Sequence, residues 1–246
     1  MSDCPTTTAT VSAKPIDAST SAGSESAIAI SPRHDELVRL LADVAGREDA
    51  PFQELAMRRI AAFVEELRQL AGGRIEFANT ETWRAAYERV LASLDDALYR
   101  SVSWVKSDDY WNDLPGRQSM QLNFALLAQG LAIERVLILG WNLWPPESRL
   151  PSRSIRQWIE DQHFGGIAVK IVRESDLVNE PDLLRDFGIY GDRATGEQET
   201  DNDSRTMRFV LSFNEASIRL AQDRWERLLL FARPYGGLLD HGLTVV

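Results

Sequence analysis

An α/β fold, with a mostly parallel sheet flanked by helices and an N-terminal α-helical hairpin ahead of it, is what this 246-residue sequence predicts. Three observations carry that expectation. Short apolar, β-branched runs at 99–105, 133–140 and 167–173 alternate with helical stretches at 118–129 and 152–164. Strands alternating with helices at this spacing mean βαβ units, right-handed crossovers and a sheet covered on both faces. Ahead of them, two stripes of apolar residues recur at helical spacing and are closed by glycines.

The elements follow in chain order. Residues 1–32 hold four charged residues, no aromatics and twelve serines or threonines, too little apolar surface to offset chain entropy, so a disordered tail is expected. Leu37, Leu40, Leu41 and Val44 form the first helix, ended by Gly46. Pro51 suits a first helical turn, and Phe52, Leu55, Ala56, Ile60, Phe63, Val64, Leu67 and Leu70 line the second helix up to Gly72 and Gly73. Together they make a hairpin over 33–75, which packs either on the main domain or on a second copy of the chain. The α/β domain is expected over 76–240. Thr80 is the expected N-cap of a third helix carrying Trp83, Tyr87, Val90, Leu91 and Leu94, and a last helix runs from Glu215 to about Ala232, before Pro234.

Composition bounds the function. The net charge of −10 and pI of about 4.9 repel nucleic-acid phosphates and anionic lipid head groups, so neither partner is favoured. Apolar runs such as 136–141 are too short to span a bilayer, and residues 1–32 lack the basic start and apolar block of a secretory signal. A single cysteine, Cys4, forms no internal disulfide, and a cytoplasmic location is the default expectation.

The stretch 183–217 reads DFGIYGD, an acidic loop, then TMRFVLSFNEAS: two short apolar strands and a capped helix start. With QGLAIERVLILG (129–140) and GGIAVKIV (165–172), this layout resembles the phospholipase D-like superfamily over roughly residues 95–233. In that superfamily a His-x-Lys pair precedes the first apolar run, an Asp closes it and a Ser-x-Asn ends the second. Here Asp192, Ser212 and Asn214 fit, whereas Arg185 and Phe187 stand in place of His and Lys. Sliding the register by one residue offers Leu184 and Asp186 instead. The resemblance implies phosphodiesterase, transferase or nuclease relatives, each using two such motifs with a histidine nucleophile. The histidines of this chain are His34, His163 and His241, and none has lysine two residues later. Arginine stays protonated and cannot replace the nucleophile. The chain is therefore similar to relatives that have lost the motif and act as small-ligand sensor domains.

Ligands of open α/β sheets sit beyond the carboxyl ends of parallel strands. That rule selects Trp104, Lys106, Asp108 and Trp111 around the first strand end, Trp141 and Asn142 after the second, and Arg173 after the third. The signature stretch adds Arg185, Asp192, Ser212 and Asn214. The aromatic, mixed-charge rim suits a small-molecule pocket, though tryptophans also cover sheets and subunit interfaces. Asn214 or Ser212 also serves as an ordinary helix cap, which needs no ligand.

Glu160 and His163 form one Glu-x-x-His, but a carboxylate-bridged metal site needs two. Glu197, Glu199, Asp201 and Asp203 lack EF-hand spacing, so neither a metal nor a cofactor is expected. The leading expectation is a non-catalytic regulatory or sensor module that binds a small ligand or protein partner. A divergent phosphodiesterase or nuclease using Arg185, Asp192, Ser212 and Asn214 is the first alternative. A structural protein that forms a homodimer through its hairpin is the second.

Overall fold

The structure is a computed structural model and describes residues 30–78, 80–94, 98–108, 114–200 and 206–240. The tail expected to be disordered, over 1–32, lies almost wholly outside those residues. The chain divides into two compact units, Met1–Ala62 and Phe63–Val246.

The first unit contains α1 (Ile30–Ala45) and the start of α2 (Ala50–Ala71). Its turn is held by side chains. Asp49 accepts the backbone N–H of Phe52 at 2.7 Å, satisfying one orphan donor of α2. The Gln53 amide donates to the Val44, Ala45 and Arg47 carbonyls, which closes the end of α1. Val38, Leu40, Leu41, Phe52, Leu55 and Met57 are exposed.

In the second unit, Gly73, at φ +72°, turns the chain from α2 into β1 (Arg74–Phe77). There follow α3 (Thr80–Ala92), β2 (Leu98–Val105), α4 (Leu114–Ala128), β3 (Ala132–Leu139), α5 (Arg153–Phe164) and β4 (Ala168–Arg173). Two 3-10 turns lead into β5 (Asp186–Tyr190), β6 (Ala194–Thr200) and β7 (Thr206–Ser212). The chain then forms α6 (Glu215–Leu229), the two-residue β8 (Arg233–Pro234) and α7 (Tyr235–Asp240).

The strands make one eight-stranded sheet in the order β1-β7-β6-β5-β2-β3-β4-β8. On one face Tyr99, Ile133, Leu137, Leu139, Val169 and Ile171 pack with Tyr87, Leu91, Leu126, Ile155, Ile159 and Tyr235 from α3, α4, α5 and α7. On the other, Val102, Val136, Ile138, Val172, Phe187 and Ile189 pack with Ala221, Trp225 and Leu228 of α6. Central strands buried on both faces read as continuous apolar runs, which is why the sequence exposes them.

The expected parallel character of the sheet is corrected. Pairs β2–β3 and β3–β4 are parallel, but β1–β7, β2–β5, β4–β8, β5–β6 and β6–β7 are antiparallel, so the sheet is mixed and mostly antiparallel. The reason lies after β4. The chain returns along β2 in the opposite sense, and β5, β6 and β7 then pair as sequential neighbours, a meander that is antiparallel here because no crossover helix separates β5 from β6. Part of the expected acidic loop is the middle strand of that meander. β6 is polar in sequence, yet β5 and β7 supply backbone partners along both of its edges.

Candidate functional site

Because β5 runs antiparallel to β2, its first residue comes to the carboxyl end of the parallel strands: Val102 lies opposite Phe187, and Tyr99 opposite Tyr190. The rim therefore gathers the loops after β2, β3 and β4 together with the start of β5. Trp104 anchors it. The Trp104 backbone N–H donates to Oδ1 of Asp186 at 2.9 Å, and its indole Nε1 donates to Oε1 of Glu174 at 3.2 Å. The ammonium of Lys106 sits 3.9 Å from the centroid of the Trp104 ring, a cation–π placement. Asn142 donates through Nδ2 to the Lys106 carbonyl at 3.3 Å, tying the β3 loop to the β2 loop. A Cβ on Gly140 would lie 3.0 Å from Oδ1 of Asn142 and 3.4 Å from the Val105 carbonyl, so this position holds the two strand ends close.

Arg173 is committed to the same scaffold. Its guanidinium carbon lies 4.1 Å from the centroid of the buried Trp144 ring, and Nη2 donates to the Ser148 carbonyl at 2.6 Å. That carbonyl also accepts Nε1 of Trp144, so the β3–α5 loop is cross-braced from inside. Trp141 is 65 % exposed, and Asp108 is exposed at the end of the described β2 loop. Trp111 lies outside the described residues.

The signature positions divide. Arg185 is exposed, with Nη1 3.9 Å from Oε2 of Glu197, while Arg224 of α6 donates to Oε1 of the same carboxylate at 2.5 Å. Phe187 is 4 % exposed and belongs to the core against α6. In the shifted register, Asp186 is buried and holds the Trp104 backbone.

Asp192 lies seven residues beyond Arg185, in the turn after β5. There the Gly191 N–H meets the Leu98 carbonyl, at the amino end of β2. At about 3.3 Å per residue, Arg185 and Asp192 stand roughly 20 Å apart along the strand. Ser212 pairs with Thr195, which faces Ile189, and so belongs to the Asp192 end. Asn214 caps α6, accepting the Ser217 N–H at 2.9 Å, and its Nδ2 donates to the Gly72 carbonyl at 3.3 Å. The rim thus brings together Trp104, Lys106, Asp108, Trp141, Asn142, Arg173 and Arg185. Asp192, Ser212 and Asn214 are at the opposite end of the sheet.

The candidate ligand-binding residues read from sequence leave out Glu174, Asp186, Glu197 and Arg224. Glu174 directly follows β4, and Asp186 occupies the second slot of the shifted signature, so both carried a readable signal. Glu197 reads in sequence only as part of the acidic loop and Arg224 carries no signal, since their meeting depends on how α6 crosses the sheet. Elsewhere, His163 packs edge-on against Tyr235 at 5.8 Å, and Glu160 accepts the Tyr235 hydroxyl at 3.2 Å. Burial and Glu160 push that phenol up to about 12. His34 is exposed in the first unit, and His241 lies outside the described residues. Among the described residues no three His, Cys, Asp or Glu side chains gather as a metal site, and no helix is long and apolar enough to cross a membrane.

No family model matches the chain, and no curated protein matches it. Among solved structures, it is similar to TrmBL2, an archaeal chromatin protein with a novel mode of DNA binding, at TM-score 0.41 and 10 % identity, over 82 % of this chain and 67 % of that one. It is also similar to Nuc from Salmonella typhimurium, a phospholipase D family member, at TM-score 0.46 and 11 % identity, over 66 % of this chain and 98 % of that one. NucT from Helicobacter pylori gives TM-score 0.46 and 8 % identity over the same shares. The chain is an α/β protein with a mixed eight-stranded sheet, and phospholipase D family members are among the structures it is similar to.

Proposed function

We propose that the chain is a non-catalytic binding module of regulatory or sensor type, whose small ligand or protein partner engages the rim around Trp104. One observation carries this reading: the slots for a histidine nucleophile and its lysine hold Arg185 and the core residue Phe187. A permanently protonated guanidinium and a buried phenyl ring supply neither nucleophile nor general acid. The rim around them offers an indole, a half-buried carboxylate and the half-buried Lys106 on braced loops, with the exposed Arg185 at the start of β5, which suits recognition.

The divergent phosphodiesterase is the competing reading, and one assay separates the two. With bis(p-nitrophenyl) phosphate as substrate, the expected rate equals that of buffer. Turnover that disappears in Arg185→Ala or Asp192→Ala would replace the binding reading with the hydrolase. The binding reading itself is tested by screening nucleotides, sugar phosphates and amino acids for a rise in melting temperature that Trp104→Ala removes. A rise that survives Trp104→Ala would place binding away from the rim.

A further inference from the structure

Helix α2 runs without interruption over 22 residues, and none of its side chains is buried. Leu55, Phe63, Leu67 and Leu70 are 63 %, 40 %, 39 % and 47 % exposed. Leu55, Arg59, Phe63, Glu66 and Leu70 follow one another at intervals of four, four, three and four residues. They therefore share one face of the helix, with Leu67 beside them. An uncovered apolar face of this length marks a contact surface.

The charges on α2 say what covers it. Six charged residues lie on the helix, and four of them pair within it: Arg58 with Glu54 at 2.6 Å and Arg68 with Glu65 at 3.0 Å. The other two, Arg59 and Glu66, are exposed and have no ion-pair partner among the described residues. Both belong to the apolar face. Seven residues apart, they stand roughly 10 Å from each other along the axis, too far to pair within one helix. A two-fold axis at Phe63 supplies both partners. When two copies of α2 lie antiparallel about that point, Arg59 meets the partner's Glu66 and Glu66 meets the partner's Arg59. Phe63 then meets the partner's Phe63, and Leu55 meets the partner's Leu70. A parallel pairing would instead set each charge level with its own equivalent and form neither ion pair.

We propose that two copies of the chain associate antiparallel through α2, about a two-fold axis at Phe63. The occupant is a second copy because the face complements its own reversed image: an arginine and a glutamate in mirrored positions, bracketed by leucines, with an aromatic ring between them. The inference does not depend on the reading given for the Trp104 rim.

The test is sedimentation equilibrium of the full chain at low salt, from about 1 µM to about 200 µM. The mass should rise towards twice the 27.7 kDa of one chain. Arg59→Glu alone and Glu66→Arg alone each set like charges together twice across the axis, and each should weaken association about tenfold. Arg59→Glu combined with Glu66→Arg re-forms both pairs in reversed order and should recover the wild-type dissociation constant to within about threefold. Phe63→Glu brings two carboxylates together on the axis and should leave a monomer. A wild-type chain that stays monomeric throughout overturns the proposal, whatever else covers α2. So does a dimer that Phe63→Glu leaves intact, or a combined variant no tighter than the single ones. Should Phe63→Glu fail to fold, the charge exchange decides alone, because both of its side chains are exposed.

Discussion

A methyl group on Gly196 would lie 2.6 Å from Cζ of Phe209 and 2.9 Å from the Tyr190 hydroxyl. Its partner across the β5–β6 ladder is Gly188, where an added Cβ would come within 3.1 Å of Tyr190 and Tyr99. The two glycines leave a slot for stacked rings: Tyr190 lies on Tyr99 at 5.3 Å and 8°, and Phe209 on Trp83 at 4.5 Å. Gly196→Ala should therefore destabilise the protein by about 1–3 kcal/mol, the usual range for overpacking a core, read from the midpoint of urea unfolding. Gly237→Ala is the control. Nothing lies within 4 Å of its added Cβ, and it falls in a helix, where alanine is favoured over glycine by up to about 1 kcal/mol. It should leave the midpoint unchanged or raise it. Asn214→Ala removes the side-chain acceptor at the start of α6 and should cost about 1 kcal/mol, typical for loss of an N-cap.

At the scale of elements, the strands that were legible are those buried on two faces. β2, β3 and β4 carry Val102, Val136, Leu137, Ile138 and Ile171, and an apolar run between helices has few other destinations. β1 has four residues and β8 only two, one of them Pro234, so neither is long enough to show a period. β6 was hidden because its glutamates, glutamine and threonines give no apolar alternation, and its pairing comes from its neighbours. The candidate rim was legible from the rule that loops follow strand ends. Its separation from Asp192, Ser212 and Asn214 was not, because it depends on the direction of β5, which no local signal records.

The meander carries its own pH dependence. Arg208 of β7 holds Glu76 of β1 through two hydrogen bonds of 2.6 Å and also pairs with Glu199 of β6. The hydrogen bond from Arg208 draws Glu76 below its ordinary value of 4.5, outweighing the upward push of burial, and Arg227 similarly draws Asp182 below 3.8. A carboxylate lowered by folding contributes stability that is present above its unfolded pKa and lost as pH falls through the folded one. Stability from these pairs should be flat near neutrality and decline below about pH 4.5. Arg208→Met should shrink that acid decline in urea midpoints measured between pH 3 and 7. An undiminished decline would mean that other carboxylates set it.

At the scale of the whole molecule, both buried clusters are built from residues between Phe77 and Leu239, inside the unit Phe63–Val246. The described side chains of the first unit, by contrast, include none that is fully buried. Its helices are joined by the Asp49 cap and the Gln53 amide, local contacts that give a short hairpin little cooperative stability. Free energy of unfolding and its denaturant slope both follow the surface buried in the cooperative core. A chain beginning at Phe63 should therefore unfold in a single transition. Its slope should match that of the full chain, and its midpoint should correspond to a loss of no more than about 1 kcal/mol, the scale of a few exposed helix contacts. The segment from Gly72 to Arg74 must be kept, since the Gly73 carbonyl accepts the Phe213 N–H at 2.7 Å and Arg74 pairs with Ser212. A loss above about 3 kcal/mol would show that residues 1–62 take part in the same cooperative core. That outcome would shift the boundary of the folded domain towards the N-terminus, because a loss of this size requires apolar burial that local helix contacts do not provide.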